Sequence, residues 1–206
     1  MKSIKEWRDH WDKKNNISNS IEINGYCING IPISKELYYK AIIEPTIREL
    51  DLKKDNHFLD VGCGSGMTLI EIEKLVSKSV GTDLSSELLK KYNGISETFV
   101  SDANNIPFKN RKFDRILIFG VAVYFPSFKY FKEVTKKHLE ILNDDGILLI
   151  GDLNIGKKPK NNQYMWYNRD QLLNFLDDLG FAYSLNSQSK LKRGINKRWA
   201  AFFIKT

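Results

Sequence analysis

From residue 57 onward the chain alternates short apolar runs with amphipathic stretches, the pattern of a parallel sheet with crossover helices. HFLDV (His57 to Val61) predicts a first buried strand because it is short, apolar and stopped by glycines. GCGSG makes the turn, and MTLIEIEKLV continues as a helix. SVGTD (Ser79 to Asp83) predicts a second strand ending in a carboxylate, followed by a helix over SSELLKKY that Asn93 and Gly94 terminate. ETFVSDA predicts a third, weaker strand. FDRILIFG (Phe113 to Gly120) is too uniformly apolar to have a wet face and belongs at the sheet centre. Ser127 can cap a helix running to about Leu142, in which Phe131, Val134, His138 and Ile141 share one side. Asn143 to Gly146 reads as a turn and GILLIGDL (Gly146 to Leu153) as a fifth strand. Asn168 can cap a helix through Leu179, with Gly180 at its stop. Two final strands, near Phe181 to Leu185 and Arg198 to Ile204, are joined by the basic stretch SKLKRGINKR as a hairpin-like connection.

The segment ahead of this sheet has a different pattern. Lys2 to Lys14 predicts a helix with Trp7, His10 and Trp11 on one stripe. Asn15 to Ser34 is polar and contains the turn dipeptides Asn24-Gly25 and Asn29-Gly30, which suits a lid more than a core. A helix from Lys35 to Leu50 follows, bent or restarted at Pro45, whose ring is strained inside a helix. With 206 residues, the chain fits one domain: residues 1–34 as lid and residues 35–206 as ligand-binding core.

Composition narrows the class. Hydrophobic residues at 42% and charged residues at 28% exclude a disordered or low-complexity chain. No apolar run approaches the roughly 18 residues that span a bilayer, and the start MKSIKEWRDHWDKK lacks the apolar stretch of a signal peptide. The expectation is a cytoplasmic protein with no membrane partner. Cys27 and Cys63 are too few for a disulfide scaffold and have no metal-ligand spacing, so no metal is expected. The net charge of +7 is compatible with polyanions. Its densest stretches, Lys157 to Lys160 and Lys190 to Arg198, form no long block of the kind found in nucleic-acid arms, which favours a solvated surface.

The sharpest chemical signal is FLDVGCGSG, Phe58 to Gly66, a buried strand followed by Gly62, Gly64 and Gly66 and then a helix. In an open parallel sheet ligands sit beyond the carboxyl ends of the strands, and glycine lets backbone approach them. A dinucleotide fingerprint would need glycine at position 67, where Met67 stands. Asp83 closes the second strand about twenty residues further on, where a carboxylate can accept both hydroxyls of a ribose. Asp102 with Ala103 follows the third strand and could hold an adenine amino group. Across roughly residues 40 to 206, DVGCGSG, the GTD ending at Asp83, the SDA around Asp102 and FDRILIFG together resemble the class I S-adenosylmethionine-dependent methyltransferases. The resemblance implies an α/β, Rossmann-like, seven-stranded and mostly parallel sheet in the order 3-2-1-4-5-7-6. Its last-numbered strand is antiparallel, and helices cover both faces. It also implies S-adenosyl-L-methionine as cofactor and S-adenosyl-L-homocysteine as product. Asp60 and Gly62 would lie by the methionine part, Gly64 would allow close approach with Gly66 completing the cofactor-binding turn, Asp83 would take the ribose, Asp102 with Ala103 the adenine, and the backbone around Phe119 and Gly120 the amino group. Asn143 to Gly146 departs from the lysine, proline and paired glycines of many relatives before strand five.

Methyl transfer needs mainly orientation of the acceptor, with a base only if the acceptor must lose a proton. His57 and His138 read as structural, while His10 faces either an acceptor pocket or ordinary packing. Asp152, at the end of strand five, is a candidate base or a cap on the following loop. Tyr124 follows strand four and could shape the acceptor pocket or donate a hydrogen bond. Tyr164, Trp166 and Tyr167 suit a sugar face, a nucleobase or plain loop packing. Cys63 reads as a small filler within the glycine turn. The leading expectation is O-methylation of a small molecule, a sugar or another hydroxylated metabolite. RNA methylation is the alternative that the basic charge keeps open, although no Asn/Asp-Pro-Pro-Tyr type motif follows strand four. A non-catalytic binder that retains the nucleotide fold is the third reading.

Overall fold

The computed structural model describes residues 2–16, 20–24, 26–28, 31–160, 162–187 and 198–204. The chain opens with α1 (Ile4–Asp12), whose N-cap Ser3 and Glu6 form a reciprocal capping box. A 3₁₀ turn (Lys13–Asn16), α2 (Ser20–Ile23) and a two-residue hairpin of β1 (Cys27–Ile28) and β2 (Ile31–Pro32) follow. Next come α3 (Lys35–Tyr38), a π-helical turn (Tyr39–Ile43) and α4 (Glu44–Glu49). The alternating part consists of β3 (His57–Val61), α5 (Met67–Ile72), β4 (Lys78–Asp83), α6 (Ser86–Leu89), β5 (Glu97–Val100), β6 (Phe113–Phe119), α7 (Phe128–Glu140), β7 (Leu142–Asn154), α8 (Arg169–Asp178), β8 (Ala182–Ser187) and β9 (Arg198–Ile204).

The main sheet has seven strands in the order β5-β4-β3-β6-β7-β9-β8, which is 3-2-1-4-5-7-6 when only its own strands are numbered. β9 is antiparallel to both neighbours, and the pairs β5 to β4, β4 to β3, β3 to β6 and β6 to β7 are parallel. β6 is central because its side chains suit burial on both faces: Ile116, Leu117 and Ile118 are wholly buried. Ile116 and Ile118 pack with Phe131, Leu148 and Leu172, while Leu117 packs with Leu50, Phe58 and Leu69 on the other face.

Several elements differ from the sequence reading. The helix expected through Val76 ends at Ile72, and Ser77 instead donates its N–H to the Asn56 carbonyl (3.1 Å). Likewise, the helix expected through Tyr92 stops at Leu89, after which the Tyr92 hydroxyl donates to the Glu73 carboxylate. The turn expected at Asn143 to Gly146 lies inside β7. Leu142 already pairs with Phe113, the register then jumps to Arg115 opposite Ile147, and the polar residues between form a bulge with Asp145 at φ 61°. Pro45 falls in the first turn of α4, where its missing N–H is harmless. The chain reaches it through a π turn in which the Glu44 N–H bonds to the Tyr39 carbonyl. The connection SKLKRGINKR lies outside the described residues up to Arg198.

The N-terminal segment is more than a cover. Ile21 and Ile33 are buried with Tyr38, Ile42 and Ile43 in a third apolar cluster. His57 lies at the amino edge of the sheet, its N–H donating to Asp114 Oδ2 (2.7 Å). His138 is wholly buried on α7 with Nδ1 against the Val134 carbonyl (2.8 Å), and burial pushes its pKa down to about 4. Among the described residues no helix is long and apolar enough to cross a membrane.

Candidate functional site

Parallel strands deliver their carboxyl ends to one edge of the sheet, and there β3, β4, β5 and β6 end on Asp60 to Val61, Asp83, Val100 and Phe119. The turn after β3 is pinned from behind: the N–H groups of Gly62 and Cys63 donate to the Thr82 carbonyl at 2.6 and 2.9 Å. Gly62, Gly64 and Gly66 hold φ of 76°, 59° and 82°, a region that side chains with a Cβ seldom adopt. A Cβ on them would collide respectively with Val121, with the Asn24 carboxamide and with the Tyr92 ring. These glycines therefore serve the turn and its close cover, and Asn24 is the nearest group over Gly64. Its Nδ2 donates to Ser65 Oγ (2.8 Å) and its Oδ1 accepts from the Ser65 N–H (3.3 Å).

Asp83 ties this turn to the next. Its Oδ2 accepts the Gly64 N–H (2.8 Å) and its Oδ1 the Ser85 N–H (2.8 Å). A carboxylate has about four acceptor positions, so capacity remains for a diol. Burial pushes the Asp83 pKa up to about 6 against these backbone bonds, and the nearby Asp12 charge adds to the rise. Asp60 is more extreme. It is buried, Oδ2 has no hydrogen-bond partner, and burial followed by the Asp83 charge pushes it up to about 8. A buried carboxyl with an orphaned oxygen is costly unless a donor or cation arrives, and it lines an open cleft. Cys63 is also buried, and burial with the two carboxylates pushes its thiol well up, so it stays protonated and inert.

Asp102 follows β5. Its Oδ1 accepts the Asn104 N–H (2.7 Å) and the Tyr130 hydroxyl from α7. Asp60, Gly62, Gly64, Asp83, Asp102, Ala103, Phe119 and Gly120 all line one cleft with about 1020 Å³ of empty space, part of it open to solvent. Gly66 caps α5 from the turn without lining the cleft.

The candidates for chemistry lie at different depths. Tyr124 lines the cleft and meets Trp7 and Trp11 of α1 at ring distances of 4.6 and 5.4 Å, with Tyr164 at 5.7 Å. His10 does not line the cleft. It is half-buried, its ring edge-on to Trp7 (5.5 Å) and Trp11 (5.3 Å), and burial together with Lys14, Lys2 and Lys13 lowers its pKa. Asp152 sits in the second bulge of β7 at φ 64°, buried behind Gly120 and outside the lining. Its Oδ2 and the Tyr26 hydroxyl each lie 3.6 Å from where a Gly120 Cβ would stand. Of the aromatic loop, Tyr164 joins the Trp7 group, whereas Tyr167 is wholly buried and donates to the Ala122 carbonyl (2.7 Å).

Sequence reasoning did not find Asn24, Tyr26, Tyr130 or the pair Asp12 and Ser85, in which Ser85 Oγ donates to Asp12 Oδ1 (2.5 Å). The Asn24-Gly25 dipeptide marked a turn, and Ser85 only the start of a helix. Neither signal says what lies across the cleft.

A parallel sheet with a glycine turn, a carboxylate closing the second strand and an acidic cleft at its carboxyl edge defines a nucleoside-binding α/β enzyme fold. Residues 59–150 match the family model described as a methyltransferase domain, and the fold is the Rossmann-like α/β fold of methyltransferases. An uncharacterized protein of Methanocaldococcus jannaschii is 33% identical over 120 residues, 57% of this chain and 45% of that protein. A probable non-canonical nonribosomal peptide synthetase, CymA, of Salinispora arenicola is 28% identical over 106 residues, 46% of this chain and 1% of that protein. This chain thus spans less than half of either relative. The magnesium protoporphyrin IX methyltransferase of Synechocystis PCC 6803, solved with bound S-adenosylmethionine, has a TM-score of 0.69 at 14% identity, covering 100% of this chain and 98% of that one. The residues present fit that cofactor: Asp60 offers an orphaned acceptor to an amino group, and Asp83 has spare acceptor positions for a ribose.

Proposed function

We propose that the protein transfers a methyl group from S-adenosylmethionine to an oxygen of a hydroxylated small molecule. The observation that carries this reading is one cleft in which Asp60, Asp83 and Asp102 meet an aromatic wall supplied by α1. When bound, S-adenosylmethionine supplies an electrophilic methyl group on a sulfonium. Asp83 accepts the ribose hydroxyls while the Gly64 and Ser85 N–H groups hold its carboxylate in place. Asp102, steadied by Tyr130, accepts from the adenine amino group. Asp60 takes the cofactor's amino group, with the backbone of Phe119 and Gly120 beside it. Ile4, Trp7, Trp11 and Tyr124 exclude water and orient the acceptor, the main services that methyl transfer requires. Asp152 lies buried behind Gly120 and outside the lining, so a proton from an acceptor hydroxyl would reach its carboxylate by way of the neighbouring Tyr26 hydroxyl, which lines the cleft. His10 acts on the outer side by holding Trp7 and Trp11. The walls would take the C–H face of a sugar or a flat ring, and both belong to this acceptor class.

The test is to incubate the protein with S-adenosylmethionine carrying a labelled methyl group and a cell extract, then separate small molecules from RNA and protein. Label in the small-molecule fraction supports the reading, and label in RNA overturns it. A protein that binds S-adenosylhomocysteine yet labels nothing in any extract would support the non-catalytic reading instead.

A further inference from the structure

The segment ahead of the sheet brings more to the cleft than α1. The ring of Tyr38, at the end of α3, is buried in the third apolar cluster with Ile21, Ile33 and Ile42. Yet Tyr38 also lines the cleft, and its hydroxyl meets Thr68 Oγ1 of α5 at 2.7 Å. Tyr26 packs edge-on against it, ring centroids 4.8 Å apart, and makes a side-chain hydrogen bond to the Tyr38 phenol. Tyr26 and Thr68 line the cleft as well. Phenylalanine would fill an apolar cluster as well as tyrosine does, so packing does not account for the Tyr38 oxygen.

Burial raises the pKa of Tyr38, the Thr68 bond lowers it, the Asp60 charge raises it and the Tyr26 bond lowers it. Bonds that favour the phenolate are bonds its oxygen accepts. A Tyr38 oxygen that accepts from both neighbours keeps its own proton for a ligand. The influence of the Asp60 charge marks Tyr38 as a neighbour of that carboxyl, whose orphaned Oδ2 suits the amino group of a methionine moiety. In an α-amino acid the ammonium and carboxylate groups share one carbon. A ligand that places the first on Asp60 therefore carries the second to the side chains beside it. A carboxylate brought so close to another carboxyl group needs O–H or N–H donors to hold it. Of the other hydroxyls in the lining, that of Tyr130 is given to Asp102 at the adenine end.

Resting on the methyltransferase reading, we propose that Tyr38 and Thr68 form the carboxylate half of the cofactor site. The Tyr38 hydroxyl donates to the α-carboxylate of the methionine moiety while Asp60 takes its ammonium group, and Thr68 and Tyr26 hold the phenol in place. The cleft thus recognises both charges at the amino-acid end of the cofactor, and the hydroxyl pair sets its preference for ligands that keep the carboxylate.

The test uses the full chain and measures binding alone. Calorimetry compares S-adenosylhomocysteine with its decarboxylated analogue, S-adenosyl-3-thiopropylamine, which keeps the adenosine, the thioether and the ammonium group. The parent should bind the first at least about tenfold more tightly, as the loss of hydrogen bonds to a charged group requires. Tyr38→Phe should weaken S-adenosylhomocysteine about tenfold and leave the thiopropylamine within about threefold. Thr68→Val should act in the same direction, while Thr68→Ser, which keeps the hydroxyl, should bind as the parent does. A parent that binds no S-adenosylhomocysteine would overturn the methyltransferase reading itself. A parent that binds both ligands equally well would overturn the carboxylate assignment alone. So would a Tyr38→Phe variant that weakens both ligands equally, the mark of a packing defect, or weakens neither. Should that variant not fold, the same comparison on Thr68→Val decides.

Discussion

At the scale of single residues the cleft is governed by carboxyl groups that burial keeps partly protonated. Asp60 is pushed up to about 8 and Asp83 to about 6, against an ordinary value of 3.8. Between those limits the folded protein retains protons that the unfolded chain has lost. The stability these groups contribute is therefore full at or below about pH 4 and falls as pH rises through 6 and 8. A cationic group beside them reverses the balance. Cofactor binding at pH 7 should release roughly one proton, seen by calorimetry in two buffers of different ionisation enthalpy. Asp60→Asn should remove most of that release and flatten the fall in Tm between pH 5 and 8, and a variant releasing as much as the parent would show that Asp60 is not the titrating group. Asp83→Ala should weaken S-adenosylhomocysteine binding by about 1.5 to 3 kcal/mol, the range for hydrogen bonds to a charged group. Unchanged affinity would refute the ribose assignment. Tyr130 steadies Asp102 from α7, so Tyr130→Phe should weaken binding by about 1 kcal/mol. The loss should disappear when the ligand lacks the adenine amino group, which a general packing defect would not reproduce.

At the scale of elements, α1 is held to the body at two points. One is Asp12 on Ser85, beside Asp83, and the other is Trp7, edge-on to Tyr124 and stacked on Tyr164. The rest of the N-terminal segment is built into the body through Ile21 and Ile33, so the informative truncation removes residues 1–16 alone. Product affinity should then stay within about tenfold, or roughly 1.4 kcal/mol, while turnover on the acceptor is nearly lost. Normal turnover by the shortened chain would place the acceptor site wholly within the remaining residues. The bulges of β7 show a different element-level effect. Asp145 and Asp152 both take left-handed backbone angles, and the second bulge turns Asp152 behind Gly120 rather than into the lining.

For the whole molecule, cofactor binding should appear as added stability. At a hundredfold excess over Kd, S-adenosylmethionine should contribute about 2.7 kcal/mol. In a chain of this length that corresponds to a rise in Tm of roughly 5 to 10 °C by thermal unfolding. NAD at the same concentration should leave Tm unchanged, and an equal rise with NAD would contradict the reading of the glycine turn. How much of this was legible follows from the range of each interaction. The strands, their central member FDRILIFG, the glycine turn and the positions of Asp83 and Asp102 past strand ends are written locally: a buried strand must be apolar, and glycines and polar residues mark where it stops. Asn24 over Ser65, 41 residues away, and Asp12 on Ser85, 73 residues away, carry no local mark, because any polar residue can occupy a turn or a cap. The same holds for Tyr130 beneath Asp102, and for His10, whose stripe with Trp7 and Trp11 fixed a helical face but not which ring would line the cleft. The sequence by itself determined the sheet and the cofactor edge, since both follow from burial and backbone geometry within short segments. Only the tertiary structure decided what covers that edge, because the contacts of α1 and Asn24 arise from packing between segments that the chain's local chemistry leaves independent.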